Sequence, residues 1–184
     1  CGAQRSARNT HAMKARTPQE SLAILTEIVL PNDTNNLNNL MGGRLLHWMD
    51  IACAISAHRH CKRIVVTGSV NNVAFNMAIP QGAIVTLEAK VSRAFSSSME
   101  VFCDVWVEDN NNPDKKTMAN EAIYTFVAVD QLGNPIQVPP LKPETEIEKQ
   151  RFEGALRRRQ LSLILSGKMS PEEATELKAL FLPE

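Results

Sequence analysis

The run from Gly42 to Ala57, Gly-Gly-Arg-Leu-Leu-His-Trp-Met-Asp-Ile-Ala-Cys-Ala-Ile-Ser-Ala, limits what this chain can become more than any other stretch. It is apolar on nearly every side at helical length, so it predicts a helix that other elements must enclose. Its neighbours in the sequence read as extended. Ala23 to Leu30 is a first strand, stopped by Pro31 and the polar run Asn32-Asp33-Thr34-Asn35-Asn36. Arg63 to Phe75 is rich in β-branched residues, with a bend or bulge expected at Gly68, and Ile79-Pro80-Gln81-Gly82 supplies a turn. Val85, Leu87, Ala89 and Val91 then alternate with polar residues, as do Met99, Val101, Cys103, Val105 and Val107, the signature of half-buried antiparallel strands. Asp109 to Pro113 closes a hairpin, and Thr117 to Val129 forms the last strand before Leu132-Gly133-Asn134-Pro135. A strand, a buried helix and further strands imply a two-layer α+β domain whose antiparallel sheet wraps one long helix.

At 184 residues the chain holds one ordinary domain with an appendage, large enough to need neither disulfides nor a metal. Lys+Arg and Asp+Glu number 20 each, so no global field draws it to nucleic acid or to an anionic membrane, and neither is expected as a partner. No apolar run approaches the ~20 residues of a bilayer span. Cys1, Cys53, Cys61 and Cys103 form no CxxC pair, which points to a reducing compartment and a cytoplasmic location. Residues 1–16 carry four basic side chains and no acid, and read as a leader-like or ragged extension with Met13 a plausible start. The domain is placed at 17–135 and a helical extension at 136–184. There, Ser170-Pro171-Glu172-Glu173 is a strong helix start, so Leu177, Leu180 and Phe181 are expected on a short terminal helix docked on an apolar surface. Phe102 and Trp106 fall on the outer strand face. Either a second subunit covers them or the C-terminal extension folds back over them.

Asp50 is the only acid between Gly42 and Ser56, and it stands mid-helix with no Lys or Arg three or four positions away. Gly43, Leu46, His47, Cys53, Ala54 and Ala57 surround it, a small-residue setting that leaves room for a ligand or a second subunit. Partial desolvation there would strengthen a carboxylate as a general base, whereas a merely solvent-facing Asp would do nothing. Gly42 and Gly43 open the helix, where free N–H groups and the positive dipole end suit an oxyanion, although two glycines also permit a tight turn. The Asn-rich loop, including Asn38 and Asn39, offers amides, most of them turn formers. His58, His60 and Cys61 lack a second ligand cluster and suit a helix C-cap better than a metal, so no metal is expected. No Ser sits in a GxSxG setting and no GKS or GKT follows the glycines. Arg157-Arg158-Arg159 reads as a solvated face that could still meet phosphates.

Taken together, Leu30-Pro31-Asn32-Asp33-Thr34-Asn35, Asn39-Leu40-Met41-Gly42-Gly43 and Trp48-Met49-Asp50 closely resemble the acyl-CoA thioesterase branch of the hotdog-fold superfamily. The resemblance continues through Val70-Asn71-Asn72-Val73-Ala74-Phe75 and Ser97-Ser98-Met99-Glu100-Val101, from about Ser21 to Val129. It implies hydrolysis of acyl-CoA to a carboxylic acid and CoA at a site shared across a dimer, commonly within a trimer of dimers. It requires no separate cofactor, because CoA belongs to substrate and product. It makes Asp50 the general base or nucleophile, Asn39 of the partner a positioning group, and Gly43 with Gly42 the N–H donors to the carbonyl oxygen. Thr67 becomes a polar contact, Ser97 and Ser98 neighbours of pantetheine or phosphate, and Arg93 with the Arg157 cluster candidates for the nucleotide phosphates. Asn38 and Phe95 stand where relatives tend to carry Gly, and Met41 where they carry an aromatic or His, so chain-length preference does not carry over. Two other readings are a hotdog protein that binds acyl-CoA without hydrolysing it, and a hotdog dehydratase using His47, one turn before Asp50.

Overall fold

A computed structural model describes residues 13–181. The first 12 residues of the leader-like extension lie outside the described residues. The extension's last residue, Arg16, is tied down: its N–H donates to Pro140 O and its carbonyl accepts from Lys142 N.

Five strands form one antiparallel sheet: β1 (Ala23–Ile28), β2 (Ile64–Asn71), β3 (Ile84–Ala94), β4 (Ser98–Asp109) and β5 (Asn112–Val129), in the spatial order β1-β3-β4-β5-β2. The expected central helix is α1 (Gly42–Cys61), and it lies on the concave side, packed chiefly on β3 and β4. The alternation in β3 and β4 sends Val85, Leu87, Ala89, Val91, Met99, Val101, Cys103 and Val105 inward, all fully buried. They meet Leu45, Met49, Ala52, Cys53 and Ala57 of α1, with Tyr124 and Phe126 of β5 completing the core. Each large side chain buried there contributes about 1.5–3 kcal/mol relative to exposure. The helix is not enclosed all round, however. Ile51 and Ile55 remain 39% and 40% exposed, and His47 one turn earlier is exposed too, so a stripe at four-residue spacing stays uncovered.

Gly68 produces the expected irregularity: the β2–β5 register shifts between Thr67 and Ser69. β1 ends at Ile28, two residues short of the expected Leu30, and two strand limits differ by more. β2 stops at Asn71, followed by Asn72 in a left-handed conformation, so Phe75 lies in irregular chain. β5 starts at Asn112 rather than Thr117, because the hairpin ladder extends down to the Asp109–Asn112 pair.

Beyond residue 135 the chain stays with the same core, in which Val138 and Leu141 are buried. A second long helix, α2 (Glu146–Leu165), is capped by Thr145 and Glu148 in a reciprocal box and lies on the convex face of the sheet. Four ion pairs fasten it: Lys90–Glu148 at 3.4 Å, Arg151–Asp104 at 2.7 Å, Arg151–Glu121 at 3.2 Å and Arg158–Glu100 at 2.8 Å. Of the two covers considered for the outer aromatics, the chain's own extension is the one found over Phe102, while Trp106 is half-buried. Phe102 is buried beneath the guanidinium groups of Arg151 and Arg158, 4.3 and 5.0 Å from its ring centre. The terminal helix α3 (Thr175–Lys178) follows a Ser170-capped turn, but the expected docking is only partial. Ala174 is buried and Leu177 half-buried, while Leu180 and Phe181 are exposed.

Candidate active site

The loop before α1 is held rigidly, which fixes where the helix begins. Asp33 is buried, pairs with Arg44 Nε at 2.9 Å and accepts from Leu30 N, while Asp33 O accepts from Met41 N. Asn35 Oδ1 accepts from the N–H groups of Leu37 and Asn39, at 2.9 and 3.2 Å, so this asparagine is a turn former with its amide NH2 left over. Asn38 adopts φ 56°, a left-handed conformation that Gly reaches freely and Asn tolerates. Asn39, half-buried, bridges to Pro80, so the loop is stitched to the Ile79–Gly82 turn.

Met41 is the N-cap of α1 and brings no side-chain cap. The N–H groups of Gly42 and Gly43 have no hydrogen-bond partner among the described residues, as expected for the first positions of a helix. The two glycines differ in what demands them. A Cβ on Gly42 would lie 3.0 Å from the Phe75 ring, whereas a Cβ on Gly43 would meet nothing within 4 Å. Phe75 therefore lies over the helix start, a contact that sequence reasoning missed. Its only signal was one aromatic in the asparagine-flanked stretch from Asn71 to Asn76.

Asp50 is half-buried, on the border between the core face of α1 and the uncovered stripe. Its one side-chain partner among the described residues is Thr67, whose Oγ1 donates to Asp50 Oδ1 at 2.9 Å across from β2. The carboxylate thus has no cation partner among the described residues and keeps a free oxygen. Nearby, Tyr124 is buried and donates to Leu46 O at 3.0 Å; burial pushes its hydroxyl well above the ordinary tyrosine range, so it stays protonated.

The remaining expected residues divide. Ser97 and Ser98 line a groove on the convex face, together with Arg158 and Arg159. Arg93 does not line it. Its guanidinium stacks 4.2 Å from the Phe152 ring and donates to Phe152 O, anchoring α2 instead. At the other end of α1, His58 Nδ1 pairs with Arg63 O and His60 Nε2 with Pro139 O, so both rings are committed to backbone. Among the described residues no three or more His, Cys, Asp or Glu side chains gather as a metal site.

A half-buried carboxylate steadied by a hydroxyl and a helix start with free N–H groups are two features, a turn or two apart, that acid–base chemistry and oxyanion binding can each use. The profile of the Thioesterase superfamily matches residues 37–113, which include both Asp50 and Thr67. The uncharacterized acyl-CoA thioester hydrolase YkhA of Bacillus subtilis is 42% identical over 135 residues, 73% of this chain and 78% of that protein. The chain belongs to the hotdog-fold thioesterase superfamily. Within it, the acyl-CoA hydrolase branch is the near relation. The acyl-CoA hydrolase of Staphylococcus aureus, solved with butyryl-CoA, CoA and CoA disulfide, superposes with TM-score 0.78 at 35% identity, over 84% of this thioesterase-fold chain and 95% of that one. The same enzyme has been solved with an asparagine, an aspartate or a threonine replaced by alanine; the aspartate follows the asparagine by 15 positions and precedes the threonine by 17. A hexameric acyl-CoA thioesterase matches with TM-score 0.77 at 34% identity, over 81% of this chain and 95% of its own. The cytosolic acyl coenzyme A thioester hydrolase of rat is 36% identical over 140 residues, but the match spans only 36% of its length.

Proposed function

We propose that this chain is an acyl-CoA thioester hydrolase in which Asp50 deprotonates the water that attacks the thioester carbonyl. The observation that carries this reading is the Asp50–Thr67 pair. It gives one carboxylate oxygen a fixed partner and leaves the other for water, at the edge of an apolar helix where a base has no structural purpose. The hydroxide adds to the carbonyl carbon, the oxyanion is met by the Gly43 N–H, and collapse of the tetrahedral adduct breaks the C–S bond. The thiolate of CoA leaves, taking up the proton that Asp50 received.

The spacing in the S. aureus variants supports Thr67 as well as Asp50, and it adds a residue. Asn35, Asp50 and Thr67 are separated here by 15 and 17 positions, the same intervals. Asn35 is thus a candidate alongside Asn39. Its Oδ1 is fixed by two backbone donors, so its NH2 group is aimed outward, ready to hold water or carbonyl oxygen.

Asp50 and Gly43 are seven residues apart, about 10 Å along the axis, too far to touch one carbonyl group together. A bridging water or a second protomer has to close that gap. The uncovered stripe His47, Ile51, Ile55 beside Asp50 favours a second protomer, as do exposed Ile64, Val66 and Val70 on the edge strand β2. A dimer is the smallest competent unit on this reading, and a trimer of dimers agrees with the hexameric relatives.

Thiol release from acyl-CoAs of graded chain length tests the proposal. The expected result is release of CoA and free acid from at least one chain length. Tight acyl-CoA binding with no release would favour the non-catalytic sensor, and loss of water from a hydroxyacyl-CoA without release would favour the dehydratase.

A further inference from the structure

Asp50 is held at its tip by Thr67, and the backbone that carries it is held as well. Tyr124 of β5 is only 1% exposed, and its hydroxyl donates to Leu46 O at 3.0 Å. Leu46 lies four residues before Asp50 in α1, so in the helix its carbonyl is the acceptor for the Asp50 N–H. One oxygen thus takes two donors, one from the residue that bears the carboxylate and one from the sheet. Its two lone pairs accommodate both.

The same strand supports the carboxylate end. Phe126, two residues along β5, is the cross-strand partner of Thr67, as Tyr124 is of Val70. Both aromatic side chains are buried, and their rings stack with centres 6.2 Å apart and planes at 16°. Asp50 is therefore referenced to β5 twice, through Leu46 O and Tyr124 at its backbone and through Thr67 and the β2–β5 ladder at its side chain. Packing does not account for the hydroxyl. Phe126 beside it fills the core with a bare ring, and burying a hydroxyl is unfavourable unless a hydrogen bond offsets the lost hydration. Leu46 O does not require it either, since the helix already supplies one donor. What the bond adds is a fixed height and roll of α1 at the turn before Asp50, where packing on an apolar sheet face is otherwise non-directional.

We infer that Tyr124 is a positioning residue for Asp50: its hydroxyl locks the turn of α1 that carries the base, so the carboxylate meets the attacking water in one geometry. The inference rests on the acyl-CoA hydrolase reading of Asp50 and adds a residue that acts on it from the core. Buried as it is, Tyr124 acts through Leu46 and not on the thioester, so its removal should slow the reaction without weakening substrate binding.

Thiol release by Tyr124→Phe, from the acyl-CoA that the native chain hydrolyses best, tests it, with Thr67→Val and the double variant alongside. Tyr124→Phe keeps the ring and loses one oxygen. Its kcat should fall about three- to tenfold with KM unchanged, because a base displaced by a fraction of an ångström loses rate and not substrate. The double variant should lose no more than about twofold beyond Thr67→Val, since a carboxylate already loose at its tip gains little from a fixed backbone. Val138→Ala, a truncation of a buried side chain in the 136–141 segment, separates folding from positioning. It should lower the thermal midpoint at least as far as Tyr124→Phe does and keep native kcat. Native kcat in Tyr124→Phe, a loss in KM alone, a double-variant loss equal to the product of the single losses, or an equal fall of kcat in Val138→Ala would each overturn the assignment. The two readings can be told apart when they fail. A native chain that releases thiol from no acyl-CoA sinks the hydrolase and the positioning role with it, whereas hydrolysis that depends on Asp50 and is indifferent to Tyr124 sinks the positioning role alone.

Discussion

Thr67 and Gly43 are the residues where function and folding can be told apart most cleanly. Thr67 is exposed and its hydroxyl has one described use, the 2.9 Å bond to Asp50. Thr67→Val keeps the β-branched shape, so kcat should fall about tenfold with KM and thermal midpoint little changed. At Gly43 a methyl group meets nothing within 4 Å of the protein, so Gly43→Ala should fold normally; a loss of activity there would mark a ligand or partner approaching the helix start. Asp50 stands out in the sequence because a mid-helix acid with no counter-charge one turn away has no local explanation. Phe75 does not, because the glycine it covers lies 33 positions earlier. Arg158 and Arg159 were equally illegible as individuals: in a run of three arginines only the facing elements, Glu100 for one and Phe95 with Ser98 for the other, assign different tasks.

The alternation of β3 and β4 made the sheet readable, and the apolar run of α1 made its helix readable. The start of β5 escaped because Asn112 to Lys116 carries no apolar alternation; the hairpin ladder alone makes it a strand. The role of α2 was visible only as one of two possible covers, since nothing local to Phe102 says which surface meets it. The best test of that helix is Arg158→Met, which leaves Glu100 buried with only the Ser92 hydroxyl and no cation, and should cost about 3–5 kcal/mol in denaturant unfolding, while the double variant with Glu100→Met recovers most of the loss. A second element-scale test is pH. His60 fixes the C-terminal part of α1 to the 136–141 segment through Pro139 O, and its buried Nδ1 has no partner among the described residues. Burial therefore holds its protonation below the ordinary histidine value, with the Pro139 contact opposing only in part. The contribution of the neutral ring is full above about pH 6.5 and is lost as pH falls through that value toward the folded-state pKa. The thermal midpoint should drop between neutral and mildly acidic pH, and His60→Gln should flatten that limb.

For the whole molecule, oligomerisation was expected from aromatics on the convex face, but α2 covers Phe102, and the apolar surface left open lies on α1 and the β2 edge instead. Sequence periodicity cannot separate a helix wrapped on every side from one wrapped on all but a single stripe, because Ile51 and Ile55 look the same in either case. If that stripe joins two protomers so that Asn35 of one serves Asp50 of the other, Asp50→Ala and Asn35→Ala chains should each be nearly inactive and their mixture should restore about a quarter of native activity, since half the dimers are mixed and each of those has one intact site. Val66→Asp on the edge strand should yield smaller species in sedimentation and lose activity with them. The most direct measurement is the rate of CoA release by Asp50→Asn, a replacement of equal shape that can still accept the Thr67 hydrogen bond but cannot take a proton from water. A fall in kcat of at least about a hundredfold, with CoA binding retained, is the expected result. A rate equal to that of the native chain would contradict the role of Asp50.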